Sequence, residues 1–180
     1  MKSFIIKFKK QLVMALVILG VVGLDQLSKI LVLKNVENIE ENGPFTIIKG
    51  IINLSYLENE GAAFGMLADH RWVFMTLSTV AIIGMGVYLF AFSKEGWFFQ
   101  LGFALIIGGG IGNMIDRTVY GFVVDMIEVD FMEFAIFNVA DSFVCIGTGI
   151  VILMLILEII KDPKKEQAEK AEKEEINDGN

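Results

Sequence analysis

Two carboxylates stand out for the chemistry their settings would permit. Asp125 sits in VVDMI (123–127), a single acid among apolar neighbours with no adjacent cation. Burial of that kind raises a carboxyl pKa toward a useful range. Asp141 sits in FNVADSFVCIG (137–147), where a long apolar run begins and an ionised group is costly. Two such groups around one water can divide the work of hydrolysis. One takes a proton from the water while its protonated partner hydrogen-bonds the substrate carbonyl. Close carboxylates resist double ionisation, so the pair holds one shared proton. Asn113, Arg117 and Asn138 could orient these carboxylates or hold a substrate backbone.

Simpler roles exist for several of these residues. Asp25 and Lys29 are spaced i,i+4 and can pair, each lowering the other's cost. Asn138 can cap a helix, with Asp141 as an acid in its first turn. Arg117 can anchor a helix end, and the glycines of IIGGGIGN (106–113) permit close helix contact. The one cysteine, Cys145, excludes an internal disulfide and is expected as a buried structural thiol. The one histidine, His70, lies beside Arg71 and Trp72 and reads as an interface residue. One His and one Cys leave no basis for a zinc site built from those ligands.

The elements that must position these residues are helices in a membrane. The 180 residues are 54% hydrophobic, and the apolar residues are gathered into long runs. The net charge of −7 comes from an acidic loop and a Glu-rich tail, and no basic patch suggests nucleic acid. The runs predict four spanning helices over 11–33, 70–92, 97–116 and 137–160. Lys2, Lys7, Lys9 and Lys10 precede the first, but no A-x-A-type cleavage site follows, so a retained helix is expected. Lysines before the first helix, at Lys94 and at Lys161, Lys164 and Lys165 predict cytoplasmic termini by the positive-inside rule. The connections 34–69 and 117–136 then face outside. FTIIKGIINLSYLEN (45–59) and GFVVDMIEVDF (121–131) have strand composition and are expected to rest at the membrane surface. A single membrane domain over 1–160 is followed by a charged tail, 161–180, expected as disorder or a solvated helix.

Depth draws the polar residues together. At 1.5 Å per residue, Asp25 stands roughly 21 Å above Gln11, and Asn113 roughly 24 Å above Trp97. Asn138 and Asp141 begin the descent of the fourth helix, so three helices place polar groups in one outer layer. Asn59 and Asp125 border it. Such a layer suits a site that faces water, though spacing alone does not bring the two aspartates together.

DQLSK (25–29), NEGAAFG (59–65), GGGIGNMIDR (108–117), VVDMI (123–127) and FNVADS (137–142) together resemble the lipoprotein signal peptidases, or type II signal peptidases. The similarity covers about residues 11–160, with the motifs in family order. It implies a four-helix aspartyl protease of the bacterial cytoplasmic (inner) membrane, with a small extracytoplasmic β-cradle and a periplasmic helix in the loop 35–69. It implies Asp125 and Asp141 as the catalytic dyad. It also implies Asp25, Lys29, Asn59, Gly61, Asn113, Arg117, Asn138 and Ala140 as substrate-binding or site-supporting residues. The implied substrate is a diacylglyceryl-modified prolipoprotein, cut just before its lipidated cysteine, in contact with membrane lipid. A globomycin-type inhibitor is expected in the same cleft, and a monomer is the expected state. No metal or organic cofactor is expected, because a dyad and one water suffice.

Three rivals differ in class. A proton-coupled carrier would use the same carboxylates for ions, but the sequence has no inverted repeat and the polar groups avoid the midplane. A serine–lysine protease would use Lys29 as base for Ser142 or Ser55; Ser28 cannot face Lys29 along a helix. A structural subunit would use the polar layer only to bind a partner.

Overall fold

The computed structural model describes residues 2–61, 71–92 and 95–178, with 2–6, 71, 74 and 161–178 described by backbone alone. His70, Ala62, Ala63 and Lys94 lie outside the described residues, as does the 62–70 part of the outer loop. The chain runs α1 (Lys2–Leu33), α2 (Val36–Asn42), β1 (Phe45–Ile48), β2 (Ile52–Asn59), α3 (Arg71–Val87), α4 (Trp97–Val119), β3 (Val123–Val129) and α5 (Val139–Asp178). Four helical stretches are long and apolar enough to cross a membrane: Lys7–Leu33, Met75–Phe92 (α3 and the π-helical turn after it), Trp97–Val119 and Val139–Ile160.

In lipid, burying one helix on another removes no apolar surface from water, so close packing and polar contacts must hold the bundle. α4 is its hub. Half of its spanning stretch is buried, against 6% for those of α3 and α5. Met14 and Ile18 of α1, Ala104 and Ile107 of α4, and Leu89 form the central apolar cluster. Leu16, Leu19, Val80 and Ile152 point outward, as a lipid-facing surface requires. α3 ends in a π-helical turn, Tyr88–Phe92. Such a turn loosens the backbone ladder within an apolar span, and the Gln11 amide of α1 donates to the Phe90 carbonyl there.

β1, β2 and β3 form an antiparallel sheet in that order, as the composition of 45–59 and 121–131 predicts. Val124 and Met126 of β3 pack with Val32 and Ile39, which seats the sheet on the C-terminal end of α1. The β2–β3 register sets Leu57 opposite Asp125 and Asn59 opposite Val123, after an irregularity between Leu54 and Leu57. Phe137 then ties the chain entering α5 to the sheet. Its carbonyl accepts from the Met126 and Ile127 amides at 3.0 and 2.7 Å, and its own amide donates to Ile127. Beyond Ile160 the backbone stays helical to Asp178. A helix there is in keeping with the tail's Ala, Glu, Lys and Gln content.

Candidate active site

Asp141 is fixed by the way α5 begins. The Asn138 Oδ1 accepts from the Asp141 amide at 2.9 Å, and the Asp141 Oδ2 accepts from the Asn138 amide at 3.2 Å. This reciprocal pair is a capping box in which Asn and Asp take the usual Ser/Thr and Glu places. Helix initiation and placement of the carboxylate are thus one arrangement. The other Asp141 oxygen, Oδ1, accepts from the Asn113 amide at 2.7 Å.

Asp125 is held from both sides. Asn138 Nδ2 donates to its Oδ1 at 2.7 Å, and Asn59 Nδ2 of β2 donates to its Oδ2 at 2.9 Å. The Asn59 oxygen in turn accepts from the Gly61 amide at 3.1 Å, so it keeps one amide orientation. Asp125 is 1% exposed. Burial pushes its carboxyl up to about 6, with the nearby Asp141 charge adding to the rise and the Asn59 and Asn138 donors opposing it. Asn138 therefore touches both carboxylates, and both line one cleft of about 480 Å³.

A charged layer supports this cleft. Lys29, 1% exposed, gives its three N–H donors to Asp25 at 2.8 Å, Asp116 at 2.8 Å and Asn113 Oδ1 at 3.0 Å. The i,i+4 pairing expected of Asp25 and Lys29 is present, within a larger set. A lysine so held has no lone pair to offer Ser142, whose hydroxyl donates to the Asn138 carbonyl at 3.0 Å. That geometry disfavours serine–lysine chemistry. Asp25 Oδ1 accepts from the Ala140 amide at 2.9 Å, which connects α1 to the first turn of α5. Arg117 donates to the Gly61 carbonyl at 3.0 Å and so clasps the loop that follows Asn59.

Asp25, Lys29, Asn59, Gly61, Asn113, Arg117, Asp125, Asn138, Ala140 and Asp141 thus share one connected network. The glycines of α4 let it close. A Cβ on Gly109 would overlap the Ala140 carbonyl oxygen, and one on Gly112 would lie 2.5 Å from Asp25 Oδ2.

Sequence reasoning missed two members. Gln26 donates to Asp116 at 2.8 Å, to Asp25 at 3.1 Å and to the Gly112 carbonyl at 3.2 Å. Asp116 accepts from Lys29 and from the Val124 amide. A signal for Asp116 exists: it follows Asn113 by three residues and so shares its helix face. Cys145 departs from expectation. It is exposed and lines the cleft, because it follows Asp141 by one helical turn.

Four apolar spans, a three-stranded sheet and two carboxylates lining one cleft suit a membrane-embedded hydrolase. Residues 17–157 match the family model described as signal peptidase (SPase) II. The lipoprotein signal peptidase of Streptococcus pneumoniae is 40% identical over 152 residues, 84% of this chain and 97% of that protein. That of Streptococcus pyogenes serotype M1 is 46% identical over 149 residues, covering 82% and 92%. A solved bacterial membrane enzyme superposes with a TM-score of 0.71 at 28% identity, over 82% of this chain and 89% of its own. This chain belongs to the signal peptidase II family, the aspartic-type peptidases that remove signal peptides from prolipoproteins.

Proposed function

We propose that this chain cleaves diacylglyceryl-modified prolipoproteins just before the lipidated cysteine, with Asp125 and Asp141 as its catalytic dyad. The observation that carries this reading is the double role of Asn138, which donates to Asp125 and caps Asp141 in the same cleft. Asp125, with its carboxyl near 6, is the member that keeps the shared proton and hydrogen-bonds the scissile carbonyl. Asp141 takes a proton from the attacking water. Protonation of the leaving amine then breaks the peptide bond. Asn113, Asn138 and Asn59 orient the carboxylates, Asp25, Lys29 and Ala140 hold the helices beneath them, and Arg117 with Gly61 shapes the cleft rim.

The substrate's diacylglycerol keeps it in the bilayer, so its scissile bond arrives at a fixed depth. A site at the outer end of the spans meets it there, with both termini cytoplasmic and the chain in a bacterial cytoplasmic membrane. The apolar wall of the cleft, including Phe134, Ile136 and Phe137, suits a lipid-bearing peptide. A globomycin-type inhibitor would occupy the same space, and one chain suffices for the chemistry.

The test is release of signal peptide from a diacylglyceryl-modified prolipoprotein by purified protein. Asp125→Asn and Asp141→Asn should each lose about 10²–10⁴-fold in kcat, the range for general acid–base catalysis. Full cleavage by either variant would refute the dyad. An inactive Ser142→Ala beside active Asp variants would return the serine reading.

A further inference from the structure

We propose that Asp116 is a positioning residue for the dyad, tethering the strand that carries Asp125 and balancing the cation that underlies both carboxylates. This rests on the dyad reading above and extends it to a residue outside the cleft.

The tether is visible at both ends of the link from α4 to β3. The Asp116 carbonyl accepts from the Tyr120 and Gly121 amides at 2.7 and 3.3 Å, which closes the end of α4. Its side chain then reaches forward, and Oδ2 accepts from the Val124 amide at 3.1 Å. Val124 immediately precedes Asp125. One residue therefore grips the connection at its start and finish. Asp116 is fully buried, and its Oδ1 is itself fixed by the Gln26 amide of α1 at 2.8 Å. Three elements meet on one carboxylate.

The balance concerns Lys29. Asp25 on α1 and Asp116 on α4 stand against it, Asp141 on α5 and Arg117 on α4 share its partner Asn113, and Asp125 on β3 feels its charge. Two of these, Asp25 and Asp116, touch the ammonium directly. Lys29 favours ionisation of Asp125, whereas Asp141 opposes it. Neutralising Asp116 leaves Lys29 with one contacting carboxylate and removes a negative charge near Asp125. Both changes have the same sign. Each makes Asp125 release its proton at lower pH.

The experiment is the pH profile of kcat/KM for the full-length enzyme on a diacylglyceryl-modified prolipoprotein. This parameter reports groups of the free enzyme. Asp116→Asn should lower kcat about 10-fold with KM little changed, and move the limb near pH 6 down by about half a unit or more. Asp116→Glu keeps the charge but lengthens the tether, so kcat should fall while that limb stays in place. Wild-type kcat in Asp116→Asn, or a limb that does not move in it, overturns the proposal. Should Asp116→Asn fail to fold, wild-type kcat in Asp116→Glu overturns it instead. Asp125→Asn separates the two levels. Full cleavage by that variant removes the dyad and this proposal together, whereas an unmoved limb with Asp125→Asn inactive removes this proposal alone.

Discussion

At the scale of single residues, the site sets stability against function at Asp125. Its carboxyl is buried and raised to about 6, whereas an unfolded Asp titrates near ~3.9. Between those values the folded chain holds a proton that the unfolded chain has lost. Stability contributed by the neutral carboxyl is therefore present at low pH and declines as pH rises through that window. A two-unit displacement corresponds to at most about 3 kcal/mol. Asp125→Asn removes the titration. Its amide also meets the Asn59 and Asn138 donors less well, but that offset does not vary with pH. Melting of both proteins in detergent at pH 4 and pH 7 should show the balance moving toward the variant at pH 7, by on the order of 1–3 kcal/mol. Parallel behaviour at the two pH values would mean that Asp125 is not strained by its ionisation. Asn138 illustrates the opposite economy, since the same side chain satisfies a helix start and orients both acids.

At the scale of elements, the site depends on how closely α4 approaches α5 and α1. Gly109 faces the Ala140 carbonyl so tightly that no Cβ fits, and Gly112 leaves room for the Asp25 carboxylate. Gly109→Ala should push α5 away from α4 beside Asp141. An overpacked contact costs about 1–3 kcal/mol. A misplacement of an ångström in the dyad costs about 10²-fold in rate. Activity should therefore fall further than the melting temperature suggests, and measuring both in one preparation checks it. Unchanged kcat would show that α5 can shift without disturbing the acids. Much of this architecture is legible in the residues. The four apolar runs give the spans, the β-branched clusters give the strands, and a rise of 1.5 Å per residue places Asp25, Asn113 and Asp141 in one layer. What the sequence hides is backbone partnership. The carbonyl of Phe137 stitches α5 to β3, and the amide of Val124 finds Asp116, yet every residue type but proline supplies both groups. Gln26 is hidden for a related reason: a neutral amide beside Asp25 reads as incidental until α4 brings Asp116 against it. The exposed Cys145 is decided by the rotation of α5, which composition does not fix.

At the scale of the whole molecule, the decisive matter is which side of the membrane the cleft faces. In the proposed topology, four spans return the chain to the side from which it started, which sets both termini on one side and the sheet with its cleft on the other. The lysines choose between the two orientations and favour cytoplasmic termini. The chemistry makes the same choice for a separate reason, because a lipid-anchored peptide whose signal segment crosses the bilayer offers its scissile bond at the outer interface. Single-cysteine variants test this directly. In a Cys145→Ala background, Lys9→Cys reports the N-terminal end of the first span, and Lys49→Cys reports the exposed turn between β1 and β2. A membrane-impermeant maleimide added to intact cells should label Lys49→Cys at once and Lys9→Cys only after permeabilisation. The reverse pattern would turn the molecule over and place the carboxylates on the cytoplasmic side. Labelling of both positions in intact cells would contradict the single span, Lys7–Leu33, that separates them, and would require that helix to lie along the surface.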